Sequence, residues 1–274
     1  MNELKITLYI WLIEISSMLK IVSFNVNGLR SALSKGFYEW LKSEQPDMLC
    51  LQETKIQPGQ VDPWLFEGLG YHHYWNYAQK KGYSGIALLT KNKPVEVTAG
   101  IGKDPYDSEG RVLTAHFSEF SWVCAYFPSG TMGDIRQEIK IAFLEDFLQY
   151  LKNLKKNFPK IIVSGDFNIC HKPIDINHPE KHTKMSGFLP EEREWMDRFV
   201  AEGFVDTFRV FNQQPNQYSW WSYRAGARQK NLGWRIDYHF VTENLRPFLA
   251  DASILADVNF SDHCPVVLKM SIQL

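Results

Sequence analysis

The chain has 274 residues, long for one domain but within reach of a large layered α/β fold built around a shared core. Hydrophobic residues at 45% and charged residues at 22% set it apart from disordered, fibrous and membrane-embedded chains. With 30 Lys and Arg against 31 Asp and Glu the net charge is −1, so a nucleic-acid partner would have to be met by a local basic patch and not by the field of the whole molecule.

Residues 1–17 differ in character from the rest of the chain. Ile6 to Ile15 is apolar except for Thr7 and Glu14, but it is too short to span a bilayer, and Glu3 offsets Lys5 where a signal peptide needs a basic start. We read 1–17 as an N-terminal extension or upstream-start segment and 18–274 as a single domain. From Met18 onward, apolar runs rich in Val, Ile, Phe and Tyr alternate with turn clusters. A strand is expected over Leu19 to Val26, a helix over Phe37 to Ser43, and strands over Asp47 to Gln52, Ser84 to Thr90, Val112 to Phe117 and Trp122 to Phe127. The clearest helix runs from Asp134 to about Lys156, where Ile135, Ile139, Phe143, Phe147, Leu151 and Leu154 recur at helical spacing ahead of Pro159. Next comes a strand over Lys160 to Ser164. Pro190 then opens another helix, with Glu191 and Glu192 near the positive end of its dipole and Trp195, Phe199 and Val200 on one face. Strands over Arg235 to Thr242, Ala250 to Leu255 and Pro265 to Ile272 complete the chain.

That is too many strands for one comfortable open sheet. The pattern predicts a four-layer α/β sandwich, two packed mixed β-sheets flanked by helices, with no repeat or linker dividing it. Cys50, Cys124, Cys170 and Cys264 are scattered, with no Cys-x-x-Cys pair, which suits a reducing cytoplasm.

The polar residues fall at the ends of these runs. Asn25 and Asn27, Gln52 and Glu53, Tyr126, and Asp166 and Asn168 lie at C-terminal strand ends, whereas Asp237 comes near the start of its run, and Asp262 and His263 precede theirs. If the last two runs are antiparallel to the others, every one of these groups meets at one rim. Each alone has a plainer explanation: Gly165-Asp-Phe-Asn168 as a turn, Glu53 as a solvated strand end, His263 as a structural histidine. Together they form an acidic, amide-lined pocket. Carboxylate and amide oxygens without paired His or Cys suit Mg²⁺ and disfavour zinc. Such a metal neutralises phosphoryl charge, an Asp orients or deprotonates a water, and a His held by a second carboxylate hydrogen-bonds a non-bridging oxygen. The set reads as metal-assisted phosphoester cleavage by water, with no Ser or Cys nucleophile.

The stretches Ser23-Phe-Asn-Val-Asn-Gly-Leu-Arg30, Leu51-Gln-Glu-Thr-Lys55, Gly165-Asp-Phe-Asn168, Gly233-Trp-Arg-Ile-Asp-Tyr238 and Ser261-Asp-His-Cys-Pro265 resemble, in this order, those of exonuclease III-type AP endonucleases. These belong to the DNase I-like exonuclease/endonuclease/phosphatase superfamily. Gly82-Tyr-Ser-Gly85, Glu109-Gly-Arg111 and Gly187-Phe-Leu-Pro-Glu-Glu-Arg193 match that branch and are not general features of its phosphatases. The resemblance covers Met18 to Leu274. It implies Glu53 as principal metal ligand with Asn25, Asn27 and Asp262 nearby, for Mg²⁺ with Mn²⁺ as a substitute. It implies Asp166 on the attacking water, Asn168 and Tyr126 on the phosphate, and His263 backed by Asp237. Some relatives carry Asp where this chain has Asn27, so one anionic contribution is missing.

The resemblance also implies a partner, double-stranded DNA containing abasic sites or blocked 3′ ends, cut 5′ to the lesion by a monomer during base excision repair. The competing enzyme is a less specific Mg-dependent endonuclease or phosphatase of the same superfamily; the competing non-enzyme is a silent DNA-binding module, whose signature would be loss of Glu53, Asp166 or His263. Trp220, Trp234 and Ile236 align with the lining of an abasic-sugar pocket, although Trp is commonly core. Arg224, Arg228, Lys230 and Arg235 form a run without an acidic residue that could grip phosphates. Arg30, Lys35, Tyr83 and Arg111 align with backbone-contacting positions. Met132 stands where some relatives insert an Arg, and His182 and Met185 replace amide residues.

Overall fold

The computed structural model describes residues 18–272. Residues 1–17, and with them the extension or upstream-start reading, lie outside the described residues. In chain order the strands are β1 (Leu19–Asn25), β2 (Met48–Gln52), β3 (His72–Asn76), β4 (Ile86–Thr90), β5 (Glu96–Ala99), β6 (Val112–His116) and β7 (Ser121–Tyr126). They continue as β8 (Ile161–Asp166), β9 (Phe204–Asp206), β10 (Trp220–Trp221), β11 (Gly233–Trp234), β12 (Asp237–Thr242), β13 (Leu249–Ile254) and β14 (Val266–Met270). One six-stranded sheet has the order β13-β14-β1-β2-β4-β3, a second has β5-β6-β7-β8-β12-β9, and β10 and β11 form a short ribbon.

Alternation along the strands sorts side chains between layers. Leu19, Ile21, Met48, Cys50, Ile86 and Leu88 of the first sheet meet Leu113, Ala115, Trp122, Cys124, Ile162 and Val241 of the second in one buried core. The intervening residues point outward to helices. Val22, Phe24, Leu49 and Leu51 pack under Leu29, Ala32, Phe37 and Leu41, while Val123, Ala125, Ile161 and Val163 pack under Phe143, Phe147, Leu151, Trp195 and Phe199. The helices Leu29–Ser34 and Phe37–Glu44 thus cover one sheet, and Asp134–Asn157 and Pro190–Ala201 cover the other. The architecture is the expected four-layer sandwich. Among the described residues no helix is long and apolar enough to cross a membrane.

The long helix stops at Asn157 because Phe158 precedes Pro159, whose ring disfavours helical backbone in the residue before it. Its buried stripe differs from the expected one. Ile135 is 75% exposed, and the inward positions are Lys140, Phe143, Leu144, Phe147, Leu148 and Leu151. The run expected from Arg235 starts at Asp237, because the Arg235 and Ile236 N–H groups donate outside the ladder, to the Asp175 carbonyl at 2.7 Å and to Ser219 Oγ at 3.1 Å, while the Arg235 guanidinium pairs with Asp175 at 2.8 Å and Asp206 at 2.6 Å.

Candidate active site

Strand directions decide where the polar residues meet. β1 runs parallel to β2 and β7 parallel to β8, whereas β14 opposes β1 and β12 opposes β8. The C-terminal ends of β1, β2, β7 and β8 and the approaches to β12 and β14 therefore share a rim. Tyr126, Asp166 and Asp237 are cross-strand neighbours in one row. The row needs Gly165, which sits at φ +149 with its missing Cβ only 1.8 Å from the Ala125 carbonyl oxygen. Asn25 ties the sheets together: its amide donates to Glu53 Oε1 and to Asp166 Oδ2, each at 2.9 Å. Asn27, Glu53, Lys55 and Asn168 all hold left-handed backbone at φ 44, 52, 52 and 53, an uphill conformation for residues with side chains.

Around this frame, Asn27 donates to Asp262 Oδ1 at 2.9 Å and accepts from the Lys55 ammonium, which also pairs with Glu53 Oε2 at 2.8 Å. His263 Nδ1 meets Asp237 Oδ2 at 2.9 Å, an oxygen that also accepts from Ser219 Oγ at 2.6 Å. The other imidazole nitrogen, Nε2, lies 3.9 Å from Asp166 Oδ2. Asn168 donates its backbone N–H to Asp166 Oδ1 at 2.8 Å and its amide to the Phe127 carbonyl at 3.0 Å.

The electrostatics separate two proton-handling groups. Burial and the charge of Asp237 push Asp166 up to about 7, against the pull of His263 and the Asn25 hydrogen bond. Burial alone would lower His263, but Asp237, then Asp166 and Asp262, raise it to about 10. Near neutrality the imidazole is a cationic donor and Asp166 is poised to take a proton. Burial would raise Glu53 as well, yet Lys55 and the Asn25 amide outweigh it and hold its carboxyl below the usual range. Glu53, Asp166 and His263 offer atoms all within 4.8 Å of one another. The Lys55 ammonium held between Glu53 and Asn27 shows that this acidic hollow accepts positive charge, and its oxygens suit a hard cation.

Beside the acidic rim, Trp220 and Trp234 meet edge to face with centroids 5.8 Å apart, over a small cluster of Cys170, Ile176, Phe188 and Ile236. Trp220 also donates from Nε1 to Asp262 Oδ2 at 3.0 Å. The tryptophans are only partly buried, which is not the burial of core side chains.

A family model described as the Endonuclease/Exonuclease/phosphatase family matches residues 22–263. The chain belongs to this family. An exodeoxyribonuclease of Bacillus subtilis (strain 168) is 47% identical over 256 residues, 93% of this chain and 100% of the relative. The DNA repair nuclease APEX1 of Danio rerio is 40% identical over 257 residues, 93% of this chain and 83% of the relative. The solved AP endonuclease of Archaeoglobus fulgidus superposes with a TM-score of 0.84 at 30% identity, covering 93% of this chain and 100% of that one. The endonuclease/exonuclease/phosphatase family is metal-dependent, and the clustered carboxylates of this rim, Glu53 among them, fit that chemistry.

Not every residue singled out in the sequence stands where the family pattern suggested. Arg111 is 1% exposed: its guanidinium pairs with Glu109 at 2.6 Å, donates to the Tyr126 carbonyl and to the Tyr83 hydroxyl, and lies 4.7 Å from the Tyr126 ring. It braces Tyr126, its guanidinium held by groups of its own chain. Arg228 turns inward too, donating to the carbonyls of Ser261, Ala256 and Val258 over the Trp221 ring. Arg235 is likewise buried in its ion pairs. Gln52 points into the interior, toward Ser23 and Cys50, and leaves the rim. Arg30, Lys35, Arg224 and Lys230 are exposed, and Tyr83 is half-buried. Sequence reasoning assigned no role to Lys55 or Ser219. Lys55 was visible within the Leu51-Gln-Glu-Thr-Lys55 stretch; Ser219 had no sequence signal beyond preceding Trp220.

Proposed function

We propose that this chain is an AP endonuclease of DNA base excision repair, hydrolysing the phosphodiester 5′ to an abasic site to leave a 3′-OH and a 5′-deoxyribose phosphate, and trimming blocked 3′ ends. The observation that carries this reading is the direct bond between the aromatic pair and the chemistry: Trp220, packed edge to face on Trp234 beside Ile236, donates to Asp262 at the acidic rim. A sugar without a base, turned out of the helix, needs a shallow apolar hollow beside a phosphate site, and no base pair opposes its rotation. The exodeoxyribonuclease, DNA repair nuclease and AP endonuclease names of the relatives support DNA as the substrate.

In this reading Glu53 is the principal ligand of Mg²⁺ or Mn²⁺, with Asn25, Asn27 and Asp262 around it, and the metal neutralises charge on the phosphoryl group. Asp166 orients the attacking water and accepts its proton, for which its raised affinity suits it. Asn168 and Tyr126 hold non-bridging oxygens. His263, kept charged and aimed by Asp237, donates to the oxygen on which charge develops. Exposed Arg30, Lys35, Arg224 and Lys230 grip flanking phosphates, with Tyr83 beside them. The described cysteines are free and buried, which supports a cytoplasmic setting, and we take the working unit to be a monomer.

The experiment uses matched duplexes, one with a single tetrahydrofuran abasic analogue and one intact, incubated with Mg²⁺ or EDTA and resolved on a denaturing gel. Metal-dependent incision only 5′ to the analogue is expected. Equal cutting of both duplexes would leave a nonspecific nuclease, and no cutting would point to a phosphatase of the same family.

A further inference from the structure

On the long helix Asp134–Asn157, the inward stripe that carries Phe143, Phe147 and Leu151 begins with a lysine. Lys140 is 0% exposed and pairs with Glu192, itself 0% exposed, at 2.6 Å. Isolated charges do not persist in such surroundings without matched partners, so what each contacts is informative. The Lys140 ammonium also donates to the Asn168 carbonyl at 2.8 Å. The Glu192 carboxylate accepts from the backbone N–H groups of Gly187 at 2.6 Å and Leu189 at 3.0 Å, and from the Gln137 amide at 3.0 Å.

These contacts join parts of the rim that are far apart in sequence. Gly187 is pressed against Trp234: a Cβ there, at φ +98, would lie 2.8 Å from Trp234 Cζ3 and 3.1 Å from the Asn168 carbonyl oxygen. Gly130, in the loop leading to Met132, leaves no room for a Cβ against Gln137 and Ser186, so that loop rests on the same hub. The ion pair reaches the rim only through the Asn168 carbonyl and touches no carboxylate of the site, so what it fixes there is backbone.

We infer that Lys140 and Glu192 are positioning residues that set substrate selectivity, by locking the Ser186–Leu189 loop against Trp234 and the Asn168 backbone in one register. The inference rests on the proposed abasic pocket. A wall held within a fraction of an ångström admits a bare sugar and refuses a nucleotide with its base, because a misplacement of about 1 Å is enough to change rates by about 10²-fold. Asn168 serves any phosphodiester, so its displacement slows cleavage of every DNA alike; the Trp234 wall acts only on the nucleotide that enters.

The test is the ratio of kcat/KM on the tetrahydrofuran duplex to kcat/KM on the intact duplex. The variant is Lys140→Met/Glu192→Leu, which removes both charges together and with them the acceptor that holds the Gly187 and Leu189 N–H groups. The ratio is expected to fall at least about tenfold. Loss of folded enzyme or of Asn168 alone scales both rates equally and leaves the ratio as it was, so an unchanged ratio overturns the inference. Where the double variant fails to fold, Gly187→Ala pushes on the same wall from a loop and is expected to lower the ratio too; an unchanged ratio there overturns the inference equally. A wild type without preference for the abasic duplex overturns the pocket reading and this inference with it, whereas a selective wild type whose variants stay selective overturns this inference alone.

Discussion

A buried histidine outside the active site makes the stability of this fold depend on pH in a calculable way. His239 of β12 is 3% exposed, with Nε2 3.0 Å from the Val266 carbonyl oxygen and Nδ1 2.7 Å from Ser164 Oγ. A carbonyl can only accept, so Nε2 carries the proton and Nδ1 accepts from the serine hydroxyl, which in turn accepts from Trp122 Nε1 at 2.8 Å. The chain of donors runs from one sheet to the other and has no place for a second imidazole proton. Burial drives His239 down to about 4 from its ordinary 6.5, with the Val266 bond opposing part of that fall. The folded-state value is depressed, so the stabilisation is fully present above 6.5 and is lost as pH falls toward about 4. A shift of this size is worth about 3 kcal/mol once complete, and roughly 2 kcal/mol at about pH 5. His239→Gln removes the titration, while every carboxylate that also responds to acid is retained. Urea unfolding followed by tryptophan fluorescence at about pH 7.5 and about pH 5 should show the wild type losing roughly 2 kcal/mol more than the variant between the two. Equal losses in both proteins would refute the argument.

Three further outcomes concern the site. Asp166→Asn and His263→Ala should each lower kcat by at least about 10²-fold while the Kd for uncleaved abasic DNA changes less than about tenfold, since both groups act on charge that develops in the reaction; parallel losses in kcat and binding would contradict their roles. Glu53→Ala should raise the Mg²⁺ concentration needed for half-maximal rate at least about tenfold, and EDTA should abolish cleavage by the wild type. A metal titration superimposable on the wild type's would remove Glu53 from the ligand set. Arg111→Lys should slow turnover by roughly tenfold at unchanged DNA affinity, because an ammonium cannot hold Glu109, Tyr83 and the Tyr126 carbonyl at once; a loss confined to binding would return Arg111 to the DNA-contacting set.

The layered architecture was legible because buried strands leave continuous apolar runs, and β1, β2, β4, β6, β7 and β8 are of that kind. The strands without a sequence signal lack it for a physical reason. His72–Asn76 and Glu96–Ala99 are sheet edges, largely exposed or half-buried, so their composition is that of a surface loop. Phe204–Asp206 is an edge of only three residues. Ribbon strands of two residues, Trp220–Trp221 and Gly233–Trp234, are too short for any periodicity to register. In the long helix, periodicity places Ile135 inward although it lies in the exposed first turn, and it passes over the buried Lys140 because charge at an inward position is the exception.

The candidate site divides along the same line. Its principal acids, amides and histidine could be placed at one rim from strand direction alone, since a group at a strand end needs only the sheet's topology to fix its neighbours. What topology does not fix is what each long side chain reaches for. Arg111, Arg228 and Arg235 look alike in sequence, basic and near the substrate, yet each closes on carbonyls or carboxylates of its own chain. A guanidinium supplies five donors, and wherever folding brings carbonyl oxygens or acids within its reach, they satisfy it before any phosphate arrives. The left-handed backbone at Asn27, Glu53, Lys55 and Asn168 belongs to the same class of information: it is imposed by how two sheets meet and is invisible in residue types other than Asn. Sequence therefore located the chemistry, while the bracing that aims it, in the Arg111 and Lys140 networks, depends on contacts between segments far apart in the chain.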